Sequence, residues 1–300
     1  MCLECGCGQT EPFGVKTLGK AKPTSGPNGL SLPPAESRAA EHQAPAAYHT
    51  HADGTTHSHS HAQQDHQHEA HTPEAGGQPP VHGEHTRTLN LGMALLAKND
   101  RLAERNRGFF IGRGIYALNL VSSPGAGKTT LLERTLDEFG KEERCAVIVG
   151  DLETDNDARR LQRPHVPVAQ ITTGTACHLD AQMVARGAEA LDLEGVSMLF
   201  IENVGNLVCP ADFDLGEALR VVLLSTTEGE DKPLKYPPIF KSAHVVLLTK
   251  IDVAEVLGFD RKVALENIRR VAPQARIIEL SSRSGEGMRE WYDLLRSHLL

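Results

Sequence analysis

The chain has 300 residues and a formal net charge of −8, from 31 basic and 39 acidic side chains. This mild acidity argues against a nucleic-acid-binding surface, and no apolar run approaches the length of a bilayer span. The chain opens on cysteines rather than on a basic region followed by an apolar stretch, so no secretory signal is indicated. We therefore expect a cytoplasmic protein without membrane or nucleic-acid partners, in which thiols are available for metal.

Composition divides the chain into an N-terminal tail and one domain. Residues 9–87 are rich in Pro, Gly, His, Ala, Thr and Gln. Such a segment buries too little apolar surface to offset the entropy of ordering it, so we predict a disordered His-rich tail behind a cysteine motif at 1–8. Residues 88–300 alternate apolar strands with amphipathic helices. This pattern predicts an α/β domain with a doubly wound, mostly parallel sheet.

Three thiols lie within the first seven residues, at Cys2, Cys5 and Cys7. Gly6 allows the backbone to turn sharply enough for the last two sulfurs to reach one ion. Thiolates, with the α-amino group as a fourth donor, suit Ni(II) or Cu(II) in a square plane, and a tetrahedral set suits Zn(II). A redox-active pair is the main alternative. An iron–sulfur cluster is disfavoured because a fourth nearby cysteine is missing.

Eleven of the fifteen histidines lie between His42 and His85. Alternating imidazoles on a mobile chain can capture several divalent ions at modest affinity. We interpret the tract as a metal store or buffer. A solvated low-complexity linker is the alternative, and the tract does not identify the metal.

An amphipathic helix is predicted ahead of the first strand of the domain. Leu89, Met93 and Leu96 share one side of it. This apolar side faces either a dimer surface or the body of the same subunit, and the spacing does not distinguish the two.

The most specific motif is Ser-Pro-Gly-Ala-Gly-Lys-Thr at 123–129, between a predicted strand at 115–121 and a predicted helix at 127–139. It matches a phosphate-binding loop, although Ser122 stands in place of the usual first glycine. Backbone N–H groups at the start of the helix then face the phosphates of a nucleotide. The residues expected to contact the nucleotide are Gly125, Ala126, Gly127, Lys128, Thr129 and Thr130.

The side chains of this loop have separate expected roles. Lys128 neutralises the β and γ oxygens and so contributes to catalysis as well as to binding. Thr129 offers its hydroxyl to Mg²⁺, and Thr130 caps the helix or contacts the α-phosphate.

A carboxylate cluster follows the predicted strand at 145–149. This is where a switch segment would sense Mg²⁺ and the γ-phosphate. Asp151 is the best candidate for holding Mg²⁺ or positioning water, and Asp155 is a weaker one. Asp157 is better explained as a helix cap.

A second switch is predicted after the strand at 198–201. Glu202 stands where P-loop GTPases usually carry Asp, and Gly205 follows three residues later. The amide of such a glycine can sense the γ-phosphate.

The base is expected to be recognised by Thr-Lys-Ile-Asp, which follows a predicted strand at 245–248. This resembles the guanine motif Asn-Lys-x-Asp, with Thr249 at the first place. The Asp252 carboxylate can accept hydrogen bonds from guanine N1 and N2, and the stem of Lys250 packs on the base. The Ser-Ser-Arg segment that starts at Ser281 resembles the last guanine-contacting loop. GTP is favoured over ATP, which remains the alternative.

A second metal site is predicted from residues that follow two strands. Cys177 and His178 follow the predicted strand at 168–171, and Cys209 follows the second switch. Because parallel strands end at the same edge of a sheet, these side chains can meet as a site with two sulfurs and one nitrogen. The alternative is an isolated buried cysteine with a histidine that caps a helix.

Together these motifs resemble the hydrogenase nickel-incorporation GTPases, the HypB family, within the P-loop GTPases that dimerise around bound nucleotide. The resemblance covers the first seven residues and the chain from Leu89 onward. It rests on Cys-x-x-Cys-Gly-Cys, Ser-Ser-Pro-Gly-Ala-Gly-Lys-Thr-Thr, Gly-Asp-Leu-Glu-Thr-Asp-Asn-Asp, Cys-His-Leu-Asp and Glu-Asn-Val-Gly-Asn-Leu-Val-Cys-Pro. The segment Glu-Gly-Glu-Asp-Lys-Pro-Leu-Lys-Tyr-Pro at 228–237 also resembles a long loop of that family.

The resemblance implies GTP hydrolysis that drives nickel delivery into [NiFe]-hydrogenase. It implies a nickel site at the three N-terminal cysteines and a weaker nickel or zinc site, shared across a homodimer, at Cys177, His178 and Cys209. The implied acceptors are a small zinc- and nickel-binding accessory protein and the hydrogenase large subunit. No matched motif supplies a catalytic glutamine, so slow hydrolysis is expected.

Three other functions remain open from the sequence. A urease accessory GTPase would carry Cys-Pro-His near the second switch, whereas here Cys209 and Pro210 precede Ala211. A nickel storage protein with a vestigial GTPase would explain the histidine tract. A redox sensor would pair Cys2 with Cys5.

Overall fold

The computed structural model describes residues 13–18, 47–50, 56–59, 82–152 and 155–299, with backbone alone at 47–50, 56–59 and 82–92. The predicted metal site at Cys2, Cys5 and Cys7 lies outside the described residues, as does most of the histidine tract. The metal sites predicted for those parts of the chain therefore stay predictions.

The described residues form ten strands and eight α-helices. The strands are β1 (Gly14–Leu18), β2 (Ala47–Thr50), β3 (Thr56–His59), β4 (Tyr116–Ser122), β5 (Cys145–Asp151), β6 (Val168–Thr172), β7 (Met198–Glu202), β8 (Leu219–Ser225), β9 (Val245–Thr249) and β10 (Arg276–Glu279). The helices are α1 (His82–Gly112), α2 (Lys128–Glu138), α3 (Asn156–Leu161), α4 (Ala181–Ala190), α5 (Lys232–Lys235), α6 (Pro237–Lys241), α7 (Arg261–Val271) and α8 (Met288–Ser297).

Eight of the strands form one sheet in the order β1-β6-β5-β7-β4-β8-β9-β10. Every neighbouring pair in it is parallel except β1 with β6. The predicted fold class, a doubly wound and mostly parallel sheet, is confirmed. The seven parallel strands, β4 to β10, therefore end at one edge, which we call the carboxyl edge.

Both faces of the sheet are covered by helices, so the central strands are buried throughout rather than on alternate residues. On one face Leu118 and Leu120 pack with residues of α2 and α8, including Trp291. On the other face Ala117 packs with α1 and α4, while α6 and α7 cover β8 and β9. The indole N–H of Trp291 donates to the hydroxyl of Thr135 at 3.0 Å, which satisfies the buried polar atom of the ring.

The chain divides into two units, Met1–Leu32 with Thr88–Leu300, and Pro33–Arg87. In the second unit β2 and β3 form an antiparallel hairpin that places His49 opposite His57. The sequence analysis predicts no strand there.

An edge strand within the first unit also differs from the predicted disorder at 9–87. Gly14–Leu18 pairs antiparallel with β6, from Gly14 opposite Thr172 to Leu18 opposite Val168. The outer edge of β6 would otherwise expose unpaired N–H and C=O groups, and β1 pairs with them. Val15 also packs against the apolar cluster beneath α4.

Strand β8 is missing from the sequence-based prediction, although Val-Val-Leu-Leu at 221–224 is an apolar run typical of a buried strand. The charged residue that starts this run, Arg220, is buried and bonds to buried Glu217 at 2.8 Å. Arg220 also donates to the carbonyls of Ala211 and Phe213. The pair therefore anchors the segment that carries Cys209.

Helix α1 starts at His82, before the boundary predicted at residue 88. Its second half packs on the same subunit, where Asn106 donates to the carbonyls of Ala181 and Leu215 at 2.8 and 3.0 Å. Met93, on the predicted apolar side, is exposed. None of the helices that the structure describes is both long enough and apolar enough to cross a bilayer.

The buried Arg220–Glu217 pair generates a stability prediction. Arg220→Met should lower the free energy of unfolding by about 3 kcal/mol, because it leaves the Glu217 carboxylate buried without its cation. Arg261→Met is the control, since its pair with Glu279 is partly exposed and its loss should cost below about 1 kcal/mol. Urea unfolding of both variants measures this, and equal losses would contradict the prediction.

Candidate nucleotide and metal sites

The phosphate-binding loop joins the end of β4 to the start of α2. Gly125 and Gly127 adopt φ values of 75° and 102°, a region that favours glycine. The ammonium group of Lys128 donates to the hydroxyl of Ser122 at 3.0 Å, so the serine at the usual glycine position holds the lysine. Burial lowers the pKa of Lys128, and nearby carboxylates, Glu202 first, oppose this shift.

Thr129 and Glu202 meet below this loop. The Thr129 hydroxyl donates to Glu202 Oε1 at 2.7 Å. Glu202 Oε2 is buried without a hydrogen-bond partner, and burial raises the pKa of this carboxyl to about 7. A hydroxyl and a carboxylate oxygen that lacks a partner are oxygen ligands of the kind that Mg²⁺ prefers, so the residues fit this ion.

A cavity of 490 Å³, which we call the phosphate cavity, lies in front of these groups at the carboxyl edge. It brings together most of the residues predicted to bind phosphate and Mg²⁺. Gly205 also lines this cavity. It packs closely against Pro124, since a Cβ at this position would lie 3.0 Å from the proline. The predicted residues among its lining are Gly125, Gly127, Lys128, Thr129, Thr130, Asp151, Glu202, Gly205 and Lys250.

The carboxylates after β5 differ from the prediction in two respects. Asp151 lines the cavity, and its Oδ1 accepts the amide of Leu152 at 2.6 Å. Asp155 is not among the lining residues, because Arg159 and Lys16 hold its carboxylate. Asp157, which the sequence analysis treats as a helix cap, lines the cavity instead. The N-cap position of α3 belongs to Asp155.

A second cavity, of 250 Å³, continues from the first and shares Gly127, Thr130 and Lys250 with it. Asp252, which is predicted to bind the base, lines this second cavity, which we call the base cavity. Ala126, which is predicted to lie in the phosphate-binding loop, lines it as well.

Thr249 lines the base cavity and joins it to the phosphate-binding loop. Its hydroxyl donates to the Ala126 carbonyl at 2.8 Å and thereby joins β9 to the phosphate-binding loop. Lys250 adopts a left-handed backbone conformation, φ 59°. Its ammonium group donates to the Gly125 carbonyl at 2.7 Å. The Lys250 stem therefore crosses between the two cavities.

Ser281 differs from its predicted role. It is fully buried, and its hydroxyl accepts the backbone amides of Arg283 and Ser284 at 3.2 and 3.1 Å. Ser282 and Arg283 line the base cavity, whereas Ser281 is not among the lining residues. Ser281 therefore shapes the loop from behind.

The predicted ligands of the second metal site come together. One ligand atom from each of Cys177, His178 and Cys209 lies within 4.8 Å of the others. The two sulfurs are 2.6 Å apart, and His178 Nδ1 is 3.8 Å from Cys177 Sγ. Burial lowers the pKa of His178, which favours the neutral imidazole that binds metal.

The alternative, in which His178 caps a helix, is wrong. The Asp180 carboxylate caps α4 by accepting the amide of Met183 at 2.7 Å. The His178 ring instead lies against Phe213, with ring centroids 3.9 Å apart. This packing orients the imidazole toward the sulfurs.

Asn203 is a cavity residue to which the sequence-based prediction assigned no role. It lines the phosphate cavity, and its Oδ1 accepts the amide of Leu179 at 3.0 Å. Leu179 follows His178 directly and also packs on Gly150, where a Cβ would lie 2.7 Å from the leucine. The position of Asn203 between Glu202 and Gly205 was the only sequence signal for it.

The pKa of Glu202 generates a pH prediction. The folded value of about 7 lies above the ordinary value of 4.5, so folding takes up a proton between these pH values and stability falls as pH rises through them. Without nucleotide and Mg²⁺, Glu202→Gln should therefore gain about 2 kcal/mol over wild type between pH 5 and pH 8. Urea unfolding at both pH values tests this, and parallel pH dependence of the two proteins would contradict it.

The Asp252 carboxylate generates a base-specificity prediction. Asp252→Asn should weaken guanine nucleotide binding at least about tenfold, because an amide cannot accept both guanine N–H groups. Xanthine nucleotides, which carry a carbonyl at C2, should bind to the Asp252→Asn variant more tightly than they bind to the wild type. Equilibrium titrations with GDP and XDP measure both effects, with Glu255→Gln as the control. Unchanged preference in the Asp252 variant would contradict this assignment.

Comparison with known proteins agrees with this geometry. The family described as CobW/HypB/UreG, nucleotide-binding domain, matches residues 116–279. Hydrogenase maturation factor HypB from Azotobacter vinelandii is 54% identical over 207 residues, which cover 69% of this chain and 68% of that protein. Hydrogenase/urease maturation factor HypB from Helicobacter pylori is 42% identical over 205 residues, covering 67% and 84%.

A solved structure provides the matching fold. The crystal structure of HypB from Helicobacter pylori in complex with nickel superposes with a TM-score of 0.64 at 41% identity, covering 67% of this chain and 95% of that one. The family match spans the strands that carry both cavities and the cysteine–histidine cluster. The chain therefore belongs to the HypB hydrogenase maturation factors, within the CobW/HypB/UreG group of nucleotide-binding proteins.

Proposed function

We propose that this protein is a GTP-hydrolysing nickel metallochaperone that delivers nickel into the active site of [NiFe]-hydrogenase during maturation. Relatives named as hydrogenase maturation factors support the pathway, and a relative solved with nickel supports the cargo. The observation that carries the proposal is the hydrogen bond between Asn203 in the phosphate cavity and Leu179 beside the metal ligands.

The nucleotide half of the mechanism follows from the two cavities. GTP places its base against Asp252 and its phosphates against Lys128. Thr129 and Glu202 would hold Mg²⁺, which supplies positive charge to the β and γ oxygens when bound. Asp151 positions the attacking water. Among the described residues that line the phosphate cavity there is no glutamine, which is consistent with slow hydrolysis.

The metal half depends on the segment between Glu202 and Gly205. In the GTP state the γ-phosphate orders this segment, and Asn203 then holds Leu179 and the adjacent His178 in place. Cys177, His178 and Cys209 bind nickel, or zinc, in that arrangement. Loss of the γ-phosphate relaxes the segment, so the ligand set loosens and releases the metal.

A homodimer, a small accessory protein and the hydrogenase large subunit complete the proposal. Val256 is 88% exposed and Leu257 52% exposed, in the turn that follows the base-binding segment. Two large apolar side chains of this kind suit a surface that a second copy covers in the nucleotide-bound state. Nickel enters through the N-terminal cysteines, is held in reserve by the histidine tract, and is handed on in the cytoplasm.

The first test is an equilibrium Ni(II) titration of the full chain with GDP and with a non-hydrolysable GTP analogue. A variant in which Cys2, Cys5, Cys7 and the eleven histidines between His42 and His85 are changed to Ala isolates the inner site. We expect the inner site to bind nickel about tenfold more tightly in one nucleotide state, a coupling within the usual range. Equal nickel affinity with GDP and with the GTP analogue would overturn the proposal.

Asn203→Ala in that background should abolish the nucleotide dependence, because it removes the acceptor for the Leu179 amide. Asn203→Asp keeps an acceptor oxygen and should restore part of the dependence. Asn267→Ala, which removes an amide bonded to the Glu230 carbonyl, serves as the control. If coupling survives Asn203→Ala, the link runs through other residues.

Two other candidates have a specific observation each. A relative named as a hydrogenase/urease maturation factor favours service to urease as well. The histidine tract favours storage without delivery. Lys128→Ala in cells separates them: delivery predicts loss of hydrogenase or urease activity, whereas storage predicts that both activities persist.

A further inference from the structure

Arg160 is a charged residue of the phosphate cavity for which the sequence analysis assigns no role. It lies on α3 and lines the cavity together with Lys128 and Lys250. Its guanidinium donates to Glu133 Oε2 at 2.5 Å and to the Thr130 hydroxyl at 3.2 Å, both on α2. A cation that faces a phosphate cavity while a surface carboxylate holds it can exchange that partner for a phosphate oxygen.

The position of Thr130 indicates which phosphate is within reach. Thr130 borders both the base cavity and the phosphate cavity, so it lies where the base end meets the phosphate chain. Lys128 and Glu202 lie at the other end, beside the site for Mg²⁺. Arg160 bonds to Thr130 and lines the phosphate cavity, whereas it is not among the residues that line the base cavity. The α-phosphate is the group at this place.

We propose that Arg160 is a second cationic contact for the bound nucleotide, directed to its α-phosphate and held by Glu133 until the nucleotide enters. The inference rests on the proposed guanine-nucleotide function and adds a binding residue to it. Since GDP and GTP share the α-phosphate, the contact strengthens binding of both. It is equally strong before and during hydrolysis, so it lowers KM and leaves kcat unchanged.

The opposite reading is that Arg160 only ties α3 to α2. Its other guanidinium nitrogen bonds to Asp157, also on α3, at 3.3 Å. Under this reading, Glu133→Gln and Arg160→Gln weaken the same link and should shift nucleotide affinity in the same direction. Under our proposal they act in opposite directions, because weakening the hold of Glu133 frees the guanidinium for the phosphate.

The test is equilibrium binding of fluorescent GDP and of a non-hydrolysable GTP analogue to full-length variants. Arg160→Gln should weaken both nucleotides about tenfold, the effect of one charged hydrogen bond. Arg159→Gln is the matched control: this neighbour on α3 bonds to Asp155 outside the cavity and should leave both affinities unchanged. Arg160→Lys keeps the charge and should fall between wild type and Arg160→Gln.

Glu133→Gln should tighten binding of both nucleotides about threefold, on the order of a partly exposed ion pair. This gain should vanish in the double variant with Arg160→Gln, because no guanidinium remains to be released. A gain that persists in the double variant, or equal affinities of Arg160→Gln and wild type, would overturn the proposal. Weakening confined to the GTP analogue would also overturn it, since that places the contact at the γ-phosphate.

Steady-state hydrolysis gives an independent readout. KM should rise in Arg160→Gln while kcat stays within about twofold of wild type. If the wild-type chain binds no guanine nucleotide, the proposed function fails. If it binds nucleotide and Arg160→Gln binds equally well, only the present inference fails.

Discussion

The parallel pairing of β5, β7 and β4 is the constraint on which both sites depend. Glu202 at the end of β7 lies opposite Leu120 of β4 and Val149 of β5. This register brings the phosphate-binding loop, the segment after β5 and the second switch to one edge of the sheet. Without it, the Thr129 hydroxyl and the Glu202 carboxylate, 73 residues apart in the chain, would not meet at 2.7 Å.

Burial gives the charged groups at this edge their chemistry. Lys128 and Glu202 are each almost completely enclosed, so each neutral form is favoured and each group needs a partner of opposite charge. Ser122 supplies a neutral hydroxyl to the lysine. The second carboxylate oxygen of Glu202 has no hydrogen-bond partner. Phosphates bring negative charge and Mg²⁺ brings positive charge, so these two buried groups support the proposed binding of a nucleotide together with Mg²⁺.

Hydrogen bonds across the carboxyl edge connect this chemistry to other parts of the chain. Asn203 joins the second switch to Leu179 beside the metal ligands. Lys16 of the edge strand β1 bonds to Asp155 at 2.7 Å, so residues 13–18 contact the segment that also carries Asp157 into the cavity. These hydrogen bonds connect the phosphate cavity with the cysteine–histidine cluster, and the segment after β5 with the N-terminal strand.

Local sequence patterns were sufficient to predict several features of the chain. Strands flanked by glycine-rich or carboxylate-rich loops predicted the sheet, the phosphate-binding loop and the cluster of Cys177, His178 and Cys209, because side-chain chemistry after a buried strand is visible in a single segment. Which of those groups face the cavities depends on contacts made in the folded domain. Ser281 is turned behind the base cavity. Asp155 is held by Arg159 and Lys16.

Other features depend on contacts between residues that are distant in the chain, and local sequence patterns therefore could not predict them. Strand β1 forms because β6 has an open edge. Arg160 contacts Glu133, and Asn203 contacts Leu179, only in the folded domain. The roles that we propose for Arg160 and Asn203 rest on these contacts. The local sequence specifies helices, strands and reactive side chains. Which side chains bond to one another depends on contacts between distant parts of the chain, and these form only when the sheet is packed.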